Sequence, residues 1–180
     1  MPSYVAMLRG VNVSGHRPLP MERLRAALAP LGFASIKTYL QSGNVVFDTA
    51  KATPAALADK IQKVITRQFG FTVPVLIRTA DEVAKIVANN PFLSDAKVEP
   101  LFLHVTFLAD AAPENASELI QPLATDKERW SVAGRNIFLY CPNGYGRTGL
   151  SNTAIEKKLS ISATTRNWKT VNALLQMSLG

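Results

Sequence analysis

The sequence predicts an α+β fold made of two ferredoxin-like units. The first has the order β-α-β-β-α-β, and the second has β-α-β-β followed by two C-terminal helices. Two observations support this class. Short β-rich runs alternate with segments whose apolar residues recur at helical spacing. The 180 residues are also 47% hydrophobic and only 18% charged, which is enough apolar material to form buried cores. The predicted boundaries are 1–79 for the first unit, 80–100 for a helical linker and 101–180 for the second unit.

In the first unit a strand at 4–9 is followed by a helix that opens at Pro20 and is stopped by Gly32. A hairpin comes next, and its loop at 41–44 contains Gly and Asn, which tolerate positive φ. Thr53 is then the predicted cap of a second helix, because its hydroxyl can accept a backbone N–H of the first turn. A strand at 73–78 completes the unit.

The second unit repeats much of this order without repeating the sequence. The pattern predicts a strand at 101–108, a helix at 113–123 and a hairpin that turns at Gly134. A further helix starts near Ser151 or Asn152, with Thr153 and Glu156 also spaced as a capping box. Thr164 or Thr165 is predicted to cap the last helix, which buries Trp168.

Three blocks of sequence resemble a family of bacterial proteins known as domain of unknown function 1697. They are YVAMLRGVNV at 4–13, TYLQSGNVVF at 38–47 and ATTRNWKTV at 163–171. Ser14 and Arg17 stand where that family more often has Gly and Lys. The resemblance implies paired ferredoxin-like α/β domains, and it implies no activity, cofactor or catalytic residue.

The charge balance favours an anionic partner. The chain has 20 Lys and Arg against 13 Asp and Glu, a net charge of +7. The excess lies at both ends: residues 1–90 carry 11 basic and 5 acidic side chains, residues 91–134 carry 3 and 7, and residues 135–180 carry 6 and 1. An anionic small molecule or a nucleic acid fits this pattern, and a scatter of solvated charges is the alternative.

The location predicted from sequence is the cytoplasm. Cys141 has no cysteine to pair with, and the first residues lack the basic leader and the cleavage site of a secretory signal. The longest apolar run, 101–109, is much shorter than a bilayer-spanning segment. We therefore expect no membrane partner.

Several chemistries are not supported by the residues present. His16, His104 and Cys141 have no ligand-like spacing, so no metal site is predicted. The alternation of the strands places His104 and Cys141 among core residues. Neither a Walker A sequence nor a dinucleotide-binding fingerprint occurs, and no cofactor is predicted.

Two glycine-containing loops remain as candidate ligand-binding segments. The loop 10–17 runs from a strand to a helix, where backbone N–H groups can hold a phosphate. The loop 144–149 places Arg147 among three glycines just before a helix, and a guanidinium can bind an anion through two hydrogen bonds. Glycines that only shape turns are the alternative for both loops.

The predicted function is recognition of an anionic or phosphate-bearing ligand at the junction of the two units. The candidate residues are loop amides, one hydroxyl and guanidiniums: Arg9, Asn12, Gln41, Ser42, Asn44, Arg147, Arg166 and Asn167. The rival interpretation is that these groups tie loops together, which would explain Asn12, Asn44 and Asn167 without a ligand. In particular, Arg147 is expected to lie near Arg9 or Asn12, unless Glu156 pairs with it.

Two other classes of function stay open. One is an enzyme acting on a phosphorylated or nucleotide substrate, with Arg147 or Arg166 stabilising charge and His16 moving a proton. The other is an interaction module that forms a homo-oligomer. Base stacking of the kind used by RNA-recognition modules is disfavoured, since each central strand of the first unit leaves at most one aromatic residue on a face.

Overall fold

The computed structural model describes all residues from 1 to 180. The chain forms two compact units, residues 1–86 with 173–180, and residues 87–172. Each unit contains one four-stranded antiparallel sheet, and the chain has six α-helices. The predicted α+β class is therefore confirmed. No helix combines the length and the apolar character that crossing a bilayer requires.

The first sheet has the strand order β2-β3-β1-β4. Its strands and the helices that accompany them are β1 (Ser3–Leu8), α1 (Met21–Leu28), β2 (Ala34–Tyr39), β3 (Asn44–Asp48), α2 (Pro54–Phe69), β4 (Val75–Thr79) and α3 (Ala80–Ala88). Tyr4, Ala6 and Leu8 of β1 pack into a core with the apolar faces of α1 and α2. The alternate residues Val5 and Met7 are fully buried as well, so both faces of this strand are covered.

The second sheet has the order β6-β7-β5-β8. Its elements are β5 (Leu103–Leu108), α4 (Ala116–Ile120), β6 (Arg129–Ala133), β7 (Asn136–Tyr140), α5 (Asn152–Leu159), β8 (Ala163–Asn167) and α6 (Trp168–Ser178). Its core joins Leu108, Leu139 and Cys141 to buried residues of α4 and α5. The predicted core position of Cys141 is confirmed.

Helix caps and turn glycines lie at several of the positions that the sequence indicates. The Thr53 hydroxyl accepts the Ala56 N–H, so the predicted cap forms, and the Ser151 hydroxyl accepts the Ala154 N–H at the helix predicted to start near Ser151 or Asn152. Gly32 has φ +79° at the predicted stop of the first helical segment. In the β2–β3 turn Gly43 has φ +86°, as the hairpin loop predicts.

The prediction for the start of the last helix was wrong. Residues 163–167 form β8 and pair with β5, with Thr165 opposite Thr106, and the helix begins only at Trp168. The cap is Asn167, whose Oδ1 accepts the Thr170 N–H at 2.8 Å. Thr164 and Thr165 suit both a cap and a strand, and pairing with β5 selects the strand. The second unit therefore also has the order β-α-β-β-α-β. Trp168 is buried, as predicted.

The alternative capping box in α5 does not form either. Ser151 caps the helix, and Glu156 uses Oε2 to accept the Ala163 N–H at 2.9 Å. That bond fastens α5 to the first residue of β8.

Candidate functional site

The segment between β1 and α1 forms a small projecting hairpin, residues 12–17, called the finger below. Its turn has Ser14 at φ +48° and Gly15 at φ +76°, and the His16 N–H donates to the Val13 carbonyl at 2.8 Å. Two successive positive φ values with this bond are typical of a type I′ turn. The Asn12 N–H then donates to the Arg17 carbonyl at 3.1 Å, which closes the base. Residues 13–18 are all exposed, so the finger stands out from the first unit.

The side chain of Asn12 fixes the finger to the body of the unit. Its Oδ1 accepts the Leu19 N–H at 2.7 Å, and its Nδ2 donates to the Leu19 carbonyl at 2.9 Å. The same Nδ2 donates to the Gln41 carbonyl at 2.6 Å, which reaches the β2–β3 turn. Asn12 itself has φ +55°, a conformation that Asn tolerates better than most residues. These contacts match the scaffolding interpretation of Asn12.

The finger carries the cationic side chain of Arg17 and the imidazole of His16, and both are exposed. The Arg17 guanidinium lies over the loop start, with Nη1 3.6 Å from where a Cβ would stand on Gly10. Arg9 is half-buried, and its N–H extends the β1–β4 pairing by donating to the Pro74 carbonyl at 3.0 Å. No carboxylate occurs between Arg9 and Met21. The finger therefore presents positive charge with no acidic residue of its own.

The other first-unit candidates lie in the β2–β3 turn beside the finger. Asn44 is completely buried, and its Nδ2 donates to the Tyr39 carbonyl at 2.8 Å and to the Ser42 hydroxyl at 3.0 Å. Ser42 and Gln41 are exposed. A Cβ on Gly43 would stand 2.7 Å from Val11 Cγ2, so the turn packs tightly against the loop that leads into the finger. The structure thus joins Asn12, Gln41, Ser42 and Asn44 in one bonded cluster.

Positive charge is concentrated in the first unit. Its residues include 11 Lys and Arg against 5 Asp and Glu, a net of +6, whereas the second unit has 9 against 8, a net of +1. On the edge strand β2, the Thr38 hydroxyl accepts a hydrogen bond from Arg25 of α1. The neighbouring Lys37 is exposed on this edge strand. The sequence window 1–90 already has these 11 basic and 5 acidic side chains, and the unit boundaries group the acidic stretch 91–134 with the basic stretch 135–180.

A shallow cleft of about 290 Å³ also lies in the first unit, lined by residues that include Ser3, Lys51 and Asp81. It carries both signs of charge. None of the residues predicted from the sequence lines it.

In the second unit the loop 144–149 is anchored by Tyr145. The Tyr145 hydroxyl accepts the Asn152 N–H at the start of α5 at 2.8 Å, and its ring stacks on His104 with centroids 4.6 Å apart. Burial raises the pKa of Tyr145 and lowers the pKa of His104. A Cβ on Gly149 would stand 2.0 Å from the Leu123 carbonyl oxygen, so this glycine allows a close backbone approach. The loop is a firmly held turn.

Arg147 ends a short 3₁₀ turn in that loop and is exposed. It forms no ion pair with Glu156, whose carboxylate instead accepts the Ala163 N–H. The neutralising contact considered from the sequence is therefore absent. The proximity of Arg147 to Arg9 or Asn12 stays a prediction.

Arg166 and Asn167 occupy the end of β8. Arg166 is only 8% exposed, and its Nη1 donates to the Thr164 hydroxyl at 2.6 Å and to the Thr165 carbonyl at 3.1 Å. Burial lowers its pKa to about 10, although Tyr145 acts in the opposite direction. Asn167 is committed through Oδ1 to capping α6.

Arg78 of β4 is a residue that sequence reasoning missed. It is 2% exposed, and its Nη1 donates to the Ile77 carbonyl at 3.1 Å. The available signal is a charged residue directly after the apolar run Val75, Leu76 and Ile77, a pattern that equally indicates the end of a strand.

The other side chains of the second unit that could act in catalysis or metal binding, His104 and Cys141, are buried or half-buried. His104 lies on the same face of β5 as Thr106 and the core residue Leu108, which agrees with its predicted place among core residues, and its buried Nδ1 has no hydrogen-bond partner. Burial raises the pKa of the Cys141 thiol to about 11, so it is a poor nucleophile at neutral pH. No three His, Cys, Asp or Glu side chains come together as a metal-binding group.

The fold and this site define a class: an α+β protein of two units, each with a four-stranded antiparallel sheet, that projects a basic finger from its first unit. The chain belongs to the family described as protein of unknown function (DUF1697), whose model matches residues 1–138. The third resembling block, at 163–171, lies beyond that match.

One solved structure with the same fold is the conserved bacterial protein SP0830 from Streptococcus pneumoniae. It is 22% identical, covers 98% of both chains and superposes with a TM-score of 0.72. No curated protein matches the sequence.

Proposed function

We propose that this protein binds an anionic, phosphate-bearing ligand and that the finger of the first unit is its contact. The observation that carries the proposal is the exposed pair His16 and Arg17 on a turn held by the hydrogen bonds of Asn12, in a stretch with no carboxylate between Arg9 and Met21. Arginine recognises phosphate through two parallel hydrogen bonds. A turn already fixed by Asn12 loses little conformational entropy when a ligand binds.

We assign two different roles to the polar side chains of this site: some hold the loops in place, and others contact the ligand. Asn12 and Asn44 hold the loops, and their hydrogen bonds are used within the protein. Arg17, His16 and Gln41 are exposed beside them and supply the donors, and Ser42, whose hydroxyl accepts a hydrogen bond from Asn44, lies in the same turn. Arg147 is proposed as a separate anion contact of the second unit, because its guanidinium is exposed on a fixed turn.

We further infer that each unit is ferredoxin-like, since both have the element order β-α-β-β-α-β and place the first and third strands at the sheet centre. We also propose a cytoplasmic location. The support is Cys141, a buried free thiol that suits a reducing compartment.

A thermal-shift titration with inorganic pyrophosphate and with ATP tests the function. At a hundredfold excess over Kd, binding stabilises the folded state by about 2.7 kcal/mol, which for a chain of this size raises Tm by roughly 5–10 °C. Arg17→Gln should reduce the shift. Lys60→Gln removes an exposed charge on α2 of the same unit and should leave the shift unchanged.

The Arg147→Gln variant separates the two proposed contacts. A normal shift in that variant, together with a reduced one in Arg17→Gln, places the contact at the finger. If neither pyrophosphate nor ATP raises Tm in the unmodified protein, the proposed function is wrong.

A further inference from the structure

We propose that the anionic ligand of the first unit is the sugar-phosphate backbone of a double-stranded nucleic acid, contacted without regard to base sequence. This inference rests on the proposed function and specifies its ligand. The contact surface is the basic edge, defined as Arg17 of the finger, Arg25 of α1 and Lys37 of β2.

The charge distribution favours a polymer over a single small anion. The first unit carries a net +6 and the second only +1, so nearly all of the chain's excess charge lies in one unit. Between residues 9 and 47 the sequence has five basic side chains and one acidic side chain, Glu22. A small phosphate needs one or two cations, whereas a polyanion makes favourable contacts with many.

Hydrogen bonds and strand connectivity place these cations along the β2 edge of the first sheet, with Arg25 and Lys37 on opposite faces of that strand. Asn12 joins the finger to the β2–β3 turn through the Gln41 carbonyl. Strand β2 leads back from that turn and is an edge strand. It carries the exposed Lys37, and its Thr38 hydroxyl accepts a hydrogen bond from Arg25. Arg17, Arg25 and Lys37 form no ion pairs, so their charge is not neutralised within the protein.

The surface also indicates the form of nucleic acid. Unpaired strands are held by stacking their bases on exposed aromatic side chains. None of the large apolar side chains exposed in this protein is aromatic, and every Phe, Tyr and Trp is buried or half-buried. A duplex keeps its bases stacked internally and presents only phosphates and grooves, so it requires no aromatic platform.

The test is fluorescence anisotropy with a labelled DNA duplex of about 20 base pairs, titrated between about 50 and 200 mM KCl. We expect binding whose log K falls linearly with log salt concentration. Arg17→Gln and Lys37→Gln should each reduce that slope by about 0.9, and the double variant by about 1.8. Lys60→Gln is the matched control, because Lys60 is an exposed residue of α2. It should change the slope by less than either Arg17→Gln or Lys37→Gln.

The outcomes distinguish this inference from the proposed function. A slope that neither Arg17→Gln nor Lys37→Gln alters overturns the basic edge as the contact. Tighter binding to a single strand of the same length overturns the choice of duplex. If vesicles of phosphatidylcholine and phosphatidylglycerol bind and the duplex does not, a membrane surface replaces nucleic acid as the ligand. Pyrophosphate binding without duplex binding also overturns the inference, but it leaves the proposed function standing.

Discussion

Arg78 and Arg166 make the same hydrogen bond at the same position of two different sheets. Each is the fourth residue of an edge strand and lies opposite the third residue of a central strand, Val5 or Val105. In each case Nη1 donates to the carbonyl of the preceding residue at 3.1 Å. The next residue, Thr79 or Asn167, then accepts a backbone N–H at the start of the following helix. The two units therefore share a buried arginine that is followed directly by a helix-capping residue. This shared arrangement is not evident from their sequences.

We expect Arg78→Ala and Arg166→Ala to destabilise the protein by similar amounts, about 2–4 kcal/mol each. The substitution leaves a cavity and removes the donor from buried carbonyl groups. Urea unfolding followed by circular dichroism measures the effect. Arg147→Ala is the control, because an exposed arginine should contribute no more than about 0.5 kcal/mol. A near-neutral result for one buried arginine and a large loss for the other would contradict the equivalence.

We expect the hydrogen bonds of the Asn12 side-chain amide to contribute more to stability than the ease with which Asn12 adopts a positive φ. Asn12→Gly loses all three side-chain hydrogen bonds but adopts φ +55° without strain, and Asn12→Ala loses the bonds and is strained as well. We expect both to be destabilised, with Ala worse than Gly by about 1 kcal/mol. Hydrogen exchange at the Leu19 amide should also accelerate in both variants. Protection of that amide equal to that in the unmodified protein would show that Asn12 does not hold the finger.

Gly43→Ala is expected to cost more than the same change at another left-handed glycine. A Cβ on Gly43 would stand 2.7 Å from Val11 Cγ2 and 2.8 Å from Leu8 Cβ, whereas one on Gly70 meets nothing within 4 Å. The two residues have similar φ, +86° and +78°, so the backbone strain is matched. We expect about 1 kcal/mol for Gly70→Ala and at least 1–2 kcal/mol more for Gly43→Ala. Adding Val11→Ala should recover part of that excess; no recovery would mean the close contact is not its cause.

Stability should fall on mild acidification because of His104. Burial lowers the pKa of His104 below its usual 6.5, so the unfolded chain takes up this proton more readily than the folded one. The contribution of neutral His104 to the free energy of unfolding is therefore fully present above about pH 6.5. It is lost as the pH falls from there toward the pKa of His104 in the folded protein. Urea midpoints measured across this range should show the decline. His104→Phe keeps an aromatic ring against Tyr145 and should remove this component, while His16→Gln should retain it. An unchanged pH dependence in His104→Phe would assign the decline to other groups.

The sequence alone determined the features that depend on neighbouring residues. The caps at Thr53 and Ser151, the left-handed Gly43 and the buried face of α2 all follow from side chains within a few positions of one another. The α+β class followed from the same local periodicities, and the family resemblance supported it.

Only the tertiary structure decided what Thr164–Thr165, Arg78 and Asn12 do. Two threonines can cap a helix or extend a strand with little difference in local free energy, and β5, nearly 60 positions away along the chain, selected the strand through its ladder at Thr106 and Thr165. Arg78 is buried because both faces of its sheet are covered, which no local pattern encodes. The three partners of the Asn12 amide come from two loops that meet only in the folded unit. The sequence window 1–90 already shows the excess of positive charge, and the fold adds that the acidic stretch 91–134 and the basic stretch 135–180 lie in the same unit.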